Sequence, residues 1–193
     1  MNNLARHSIS GNLLFCICHV LIFAFWGARF FLAGYRLSDY QLEANIFYGY
    51  AVLLAVLGIV ACRRSKHWFD FFTVVSALIV SLSVFLQVMV GSMISIDWTA
   101  EPVIKTLKTP SGRLWFMLID TEECQNRLVA SRYVWDGHAI QFTTLTSVKR
   151  LDAPAIYLSD GNTKLVFESL GDASTRRLFS TDWPCTELPS EKQ

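Results

Sequence analysis

Three long apolar runs occupy the first half of the chain and an alternating pattern replaces them in the second. Residues 12–35 (NLLFCICHVLIFAFWGARFFLAGY), 44–62 (ANIFYGYAVLLAVLGIVAC) and 71–96 (FFTVVSALIVSLSVFLQVMVGSMISI) carry almost no charge. Each matches the roughly 20 residues that a helix needs to cross a hydrocarbon layer. The third is long enough to cross with some tilt. Trp68 and Trp98 flank it, where amphipathic indoles favour the membrane interfaces. The first run ends in aromatic residues and Arg rather than in a small-residue cleavage site, which favours its retention as a spanning helix over removal as a signal peptide. No fourth span is expected, because LWFMLI (residues 114–119) is short and bounded by Arg113 and Asp120.

Beyond residue 97 the period changes from helical to strand-like. RLWFMLID, VASRYVW and HAIQFTTLTSV read as strands, the last two turning at Asp136 and Gly137. AIYLS and NTKLVFESL alternate about Asp160 and Gly161 and predict a second hairpin. Asp120 and Glu123 have capping-box spacing, so a short helix is expected over residues 120–130. The expected fold is therefore an integral membrane protein with three transmembrane α-helices followed by a small strand-rich α+β soluble domain. Its segments are an amino-terminal stretch (1–11), helix one (12–35), an outer loop (36–43), helix two (44–62), a basic loop (63–70), helix three (71–96), the strand-rich domain (97–182) and a flexible tail (183–193).

Composition agrees with that division. The chain is 52% hydrophobic and 17% charged, a balance that one globular core would not require. Residues 1–96 hold six Lys/Arg against three Asp/Glu (net +3) and residues 97–193 hold eleven against thirteen (net −2). Neither half is basic enough for direct nucleic-acid binding to be expected.

The densest positive charge is CRRSKHW, where Arg63, Arg64 and Lys66 lie between helices two and three. The positive-inside effect makes this loop cytoplasmic and in contact with membrane lipids. The amino terminus is then cytoplasmic and the strand-rich domain extracytoplasmic, with the cell inner membrane as the expected location. In an oxidising compartment Cys124 and Cys185 are candidates for a disulfide. Cys16, Cys18 and Cys62 read as small apolar packing residues in or beside the spans.

Polar residues inside the spans are read first as packing devices. His19 and Gln87 suit interhelical hydrogen bonds. Ala51, Ala55 and Gly58 repeat at helical spacing, a small-residue face that lets backbones approach, within one chain or in a homo-oligomer. Arg29 is close enough to a helix end to extend toward the headgroups. Catalytic signals are poor. His138 and Asp136 lie in a turn, and Glu122 and Glu123 adjoin rather than face one another. There is no zinc spacing, no phosphate-cradling Gly-rich loop and no nucleophile elbow. No catalytic residue, metal ligand or cofactor is therefore assigned.

Trp115, Tyr133, Trp135, Phe142, Tyr157 and Phe167 are expected mainly in the core, with one or two left to form a binding hot spot. Together these features favour a noncatalytic membrane sensor or partner-binding subunit of an envelope-associated complex, of the bacterial defence (including antiviral defence) or stress-signalling kind. It would engage lipids, a second protein and further copies of itself. The competing classes are a homo-oligomeric pore-forming or membrane-perturbing effector and a toxin-immunity protein, with a headgroup-modifying enzyme a distant third.

Overall fold

The computed structural model describes residues 10–66, 70–94, 103–121, 125–149, 154–168, 176–183 and 186–188. It separates into two compact units. One holds three helices, and the other holds residues 34–39 together with the chain beyond residue 97.

In the helical unit, α1 runs Gly11–Phe31, α2 Tyr40–Arg64 and α3 Phe71–Ile94. All three are long and apolar enough to cross a membrane. Their ends follow from local chemistry. The Ser10 side chain accepts from Leu13 N at the start of α1, and Asp70 Oδ1 accepts from Phe72 N at the start of α3. Glu43 lies in the first turn of α2 and Arg63 and Arg64 in its last, each complementing the helix dipole. Helix α2 therefore begins four residues before the apolar run does.

The helices are arranged for an apolar surround. Large side chains such as Phe23, Phe30, Val56, Phe71, Leu78 and Phe85 point outward and are exposed. The inward stripe of α3 is instead Thr73, Ser76, Val80, Ser83, Gln87 and Gly91. Water would penalise such an exterior, whereas hydrocarbon accepts it and leaves close packing of small residues to hold the helices together. A Cβ on Gly11 would meet Ala61 O and Ser65 N at 2.7 Å, so α1 begins in backbone contact with the end of α2. A Cβ on Gly58 would meet Val80 of α3 at 3.1 Å.

The second unit is two antiparallel sheets. The larger has the order β1-β5-β4-β3-β2, with β1 Tyr35–Leu37, β2 Val103–Thr109, β3 Gly112–Thr121, β4 Gln125–Val134 and β5 Ala139–Lys149. The smaller has the order β6-β7-β8, with β6 Ala155–Ser159, β7 Lys164–Glu168 and β8 Arg176–Ser180. Leu114, Phe116, Leu128 and Ala130 of the larger sheet form one core with Ile156, Leu165, Phe167 and Phe179 of the smaller. The opposite face of the larger sheet buries Trp115, Met117 and Ile140. Burial on both faces explains why β3 reads as a continuous apolar run without alternation.

Four features differ from the sequence expectation. Residues 125–130 belong to β4 rather than to a helix, and the described residues of this unit hold no α-helix, only a 3-10 turn at Trp135–Gly137. The described residues of the unit are thus all-β where α+β was expected. Two strands, β2 (Val103–Thr109) and β8 (Arg176–Ser180), were not among those expected. Residues expected to form a flexible tail add to the smaller sheet, since Glu187 bridges Phe179 and Leu188 N donates to Leu178 O. Finally, β1 lies between α1 and α2 in the chain, within what was expected to be helix one and an outer loop, yet it pairs with β5 (Tyr35 with Gln141, Leu37 with Ala139).

That last pairing constrains the topology. Two helices separate β1 from β2 in the chain, and two crossings return a chain to its starting side. Three helices of spanning length are compatible with the β1–β5 hydrogen bonds, because an even number of them separates β1 from the later strands. Cys124 and Cys185 lie outside the described residues.

Candidate functional site

The turn between β4 and β5 combines left-handed backbone with an exposed indole. Trp135 and Asp136 both have positive φ, 50° and 54°, followed by Gly137 at 89°. Two consecutive left-handed non-glycine residues cost about 1–2 kcal/mol each, and such strain persists only where surrounding contacts enforce it. Here they do. His138 N donates to Trp135 O and closes the turn. His138 O accepts from Ser38 N, which ties the turn to the end of β1. The Trp135 indole stacks on Tyr35 with centroids 5.2 Å apart and planes within 5°.

The Tyr35 ring is itself held in place. Gln141 Nε2 donates to its hydroxyl at 3.1 Å. Arg132 Nε donates to Gln141 Oε1 at 3.0 Å, while its Nη1 donates to Asp182 O at 3.0 Å. The Arg132 guanidinium also lies 4.5 Å above the Trp183 ring, a cation–π contact. A polar rail thus runs from the carboxyl-terminal segment across β4 and β5 to β1 and orients the aromatic pair at its end. Trp135 remains 56% exposed and Tyr133 54%. Tyr133 in turn leans on the buried Trp115, with centroids 4.7 Å apart.

Large, rigid, exposed aromatics on an enforced turn can bury much area with little loss of side-chain freedom on meeting a partner. Of the six aromatics expected mainly in the core, Trp115 and Phe167 are buried and Phe142 half-buried, whereas Tyr133, Trp135 and Tyr157 are exposed. The Asp-Gly turn was legible in the sequence. The Tyr35 partnership was not, because its two rings come from elements 100 residues apart in the chain.

The side chains of His138 and Asp136 are exposed and make no hydrogen bond to each other. Among the described residues no three His, Cys, Asp or Glu side chains converge to hold a metal. Glu122 and Glu123 lie outside them. In the smaller sheet, Tyr157 donates to Glu168 at 2.8 Å, and this bond to a carboxylate raises the phenol pKa. The Lys164 ammonium, 2.7 Å from Asp160, lowers the pKa of that exposed carboxyl.

The polar residues of the apolar helices have specific places. His19 Nδ1 donates to Phe15 O at 2.7 Å, within its own helix rather than across an interface, so the carbonyl selects the Nδ1–H form. Gln87 is fully buried and donates to Ser83 at 3.1 Å. Trp26 of α1 donates to the same hydroxyl at 3.4 Å, which links two helices. Among the described residues the Gln87 Oε1 atom has no hydrogen-bond partner. Ala51 and Gly58 are buried and Ala55 is half-buried, while Arg63, Arg64 and Lys66 lie exposed at the end of α2.

Arg29 does more than extend toward an interface. Its Nη1 lies 3.4 Å from Oε1 of the buried Glu43, and its guanidinium lies 5.0 Å from the Phe47 ring centre. Glu43 drew no attention in the sequence because it precedes the apolar run of α2. Comparison with protein-family models, curated proteins and solved structures gives no match. The functional reading therefore rests on this chain's own residues.

Proposed function

We propose that this chain is a noncatalytic membrane-anchored binding subunit of an envelope-associated complex, with the turn carrying Trp135 and Tyr133 as its contact for a second protein. The observation that carries this reading is the braced turn that keeps the Trp135 indole exposed while it stacks on the half-buried Tyr35 ring. A turn serving only to reverse the chain does not need an exposed indole stacked on a ring from another strand.

The covalent layout supports a sensing role. Each helix has one end joined to the sheet unit: α1 and α2 through the segment containing β1, and α3 through the chain entering β2. A partner that engages the turn beside β1 acts on a strand bonded directly to two of those connections. In this reading the Arg63, Arg64 and Lys66 end of α2 is cytoplasmic and the sheets are extracytoplasmic. Cys124 and Cys185 then face an oxidising compartment, which permits a disulfide.

The test is capture of interacting proteins by tagged full-length chain from the membrane in which it is made. Trp135→Ala and Tyr133→Ala should abolish specific capture without reducing membrane accumulation, whereas Tyr157→Ala, an exposed aromatic on the smaller sheet, should not. Equal capture by all three variants overturns the assignment. Orientation is tested separately, by a membrane-impermeant amine reagent that should modify Lys164 in intact spheroplasts and spare Lys66. The reverse pattern inverts the topology.

A further inference from the structure

A cavity of about 500 Å³ opens along the helical unit, where α2 and α3 face one another with small side chains. Ala55 and Gly58 of α2 and Ser81 of α3 line it, Phe15 of α1 closes its floor, and Cys62 and Arg63 stand at one end. The gap has a simple origin. Small residues oppose small residues here, so no side chain from either helix fills the space, although Gly58 brings Val80 close beneath it. From Ala55 to Arg63 the groove follows eight residues of α2, about 12 Å at 1.5 Å per residue. Its wall is apolar for that length and cationic at one end.

Arg63, Arg64 and Lys66 are exposed. Among the described residues no carboxylate lies within ion-pair distance of any of them. An apolar slot beside hydrocarbon that ends in unpaired cations at the membrane surface complements a molecule with an apolar tail and an anionic head.

We infer that the α2–α3 groove binds one acyl chain of an anionic phospholipid, with the headgroup phosphate on Arg63 and the neighbouring Arg64 and Lys66 adding to the field. The inference rests on the helices spanning a bilayer and is independent of the partner assigned to the sheet unit. It goes beyond a diffuse attraction of basic residues to a membrane surface, because the groove gives the lipid a defined seat. Ser81 and Ile59 form its exposed rims, and lipid enters sideways from the bilayer.

The experiment uses full-length protein in phosphatidylcholine nanodiscs. They carry a trace of phosphatidylglycerol or of phosphatidylcholine with a photoreactive diazirine in one acyl chain, and adducts are mapped by peptide mass spectrometry. Phosphatidylglycerol adducts should concentrate on Ala55, Gly58 and Ser81 and exceed phosphatidylcholine adducts there. Arg63→Gln should lower the phosphatidylglycerol yield about five-fold, the effect of one cation near a membrane surface. Ser81→Leu, on the exposed rim where a larger apolar side chain is accommodated, should reduce labelling by both lipids while helical circular dichroism is unchanged.

Equal labelling by the two lipids, or labelling that Arg63→Gln leaves unchanged, overturns the inference. Displacement of the photolipid by inorganic phosphate also overturns it, by showing a site for the phosphate alone. Cross-links between two copies in place of lipid adducts assign the groove to a second chain. Absence of adducts from either lipid anywhere on the three helices sinks the spanning reading itself, which is a different failure.

Discussion

Replacing Arg29 by Met should destabilise the helical unit much more than replacing Glu43 by Gln. The two charges lie 3.4 Å apart, with side chains 24% and 8% exposed. At that distance Coulomb attraction is about 5 kcal/mol for an effective dielectric of about 20. Desolvation offsets much of it, and the quarter-exposed guanidinium screens more, leaving a net coupling of about 2 kcal/mol.

The asymmetry comes from what each substitution leaves behind. Without Arg29, the Glu43 carboxylate keeps its buried position and loses its guanidinium, at a cost of about 3 kcal/mol. Without the Glu43 charge, Arg29 retains the Phe47 face and a side chain long enough to reach headgroups, so the cost falls to about 1 kcal/mol. The double variant should lose about 2 kcal/mol, less than Arg29→Met alone. Reversible unfolding of the bicelle-reconstituted full chain by sodium dodecyl sulfate, followed by helical circular dichroism, measures all three. Losses that simply add, to within about 0.5 kcal/mol, refute the coupling. A costlier Glu43→Gln refutes the burial argument.

Three further outcomes use the same structure. Gly11→Ala places a methyl against the backbone of Ala61 and Ser65 and should cost about 1–3 kcal/mol in the same unfolding assay, whereas Gly27→Ala, which meets nothing within 4 Å, should not destabilise. Gln87→Leu removes a buried carbonyl oxygen without a partner and should be neutral or stabilising, while Gln87→Ala leaves a cavity and should lose about 2 kcal/mol or more. Asp160 should titrate below the ordinary aspartate value because of Lys164. The stabilisation from this depressed carboxyl is present above the ordinary value and lost as pH falls through the lowered one. Carbon-detected NMR should show its midpoint rising in Lys164→Met, and an unmoved midpoint removes Lys164 as the cause.

Legibility in the sequence followed the range of the forces involved. The spans were readable because hydrocarbon demands both length and composition from a contiguous segment. The Asp160-Gly161 hairpin was readable because its turn chemistry is local, with Asp160 at φ 50° and Gly161 at 63°. Residues 120–130 misled because capping-box spacing is equally local but weak, and pairing of β4 along both edges outweighs it. Arg176–Ser180 was passed over because a five-residue strand acquires its identity from β7 and the bridge to Glu187.

The candidate site separates the two kinds of information further. The aromatic residues and the Asp136-Gly137 turn are visible in the sequence, but which rings stay exposed depends on Gln141 and Arg132 orienting Tyr35 from neighbouring strands. In the helical unit, Ala55, Gly58 and Ser81 are visible as small residues. That two such faces oppose each other and leave a groove ending at Arg63 is a property of helix packing.

By itself the sequence determined the division into three apolar helices and a strand-rich domain, because solvent preference acts segment by segment. Only tertiary structure decided that Tyr35, Arg36 and Leu37 form the edge of a sheet whose other strands follow more than 60 residues later. Three residues carry too short a pattern to announce a strand, and backbone hydrogen bonds take their partners from whatever edge the fold presents. The same applies to Arg29 and Glu43, whose charges are ordinary in sequence and become a buried pair only when two helices bring them together.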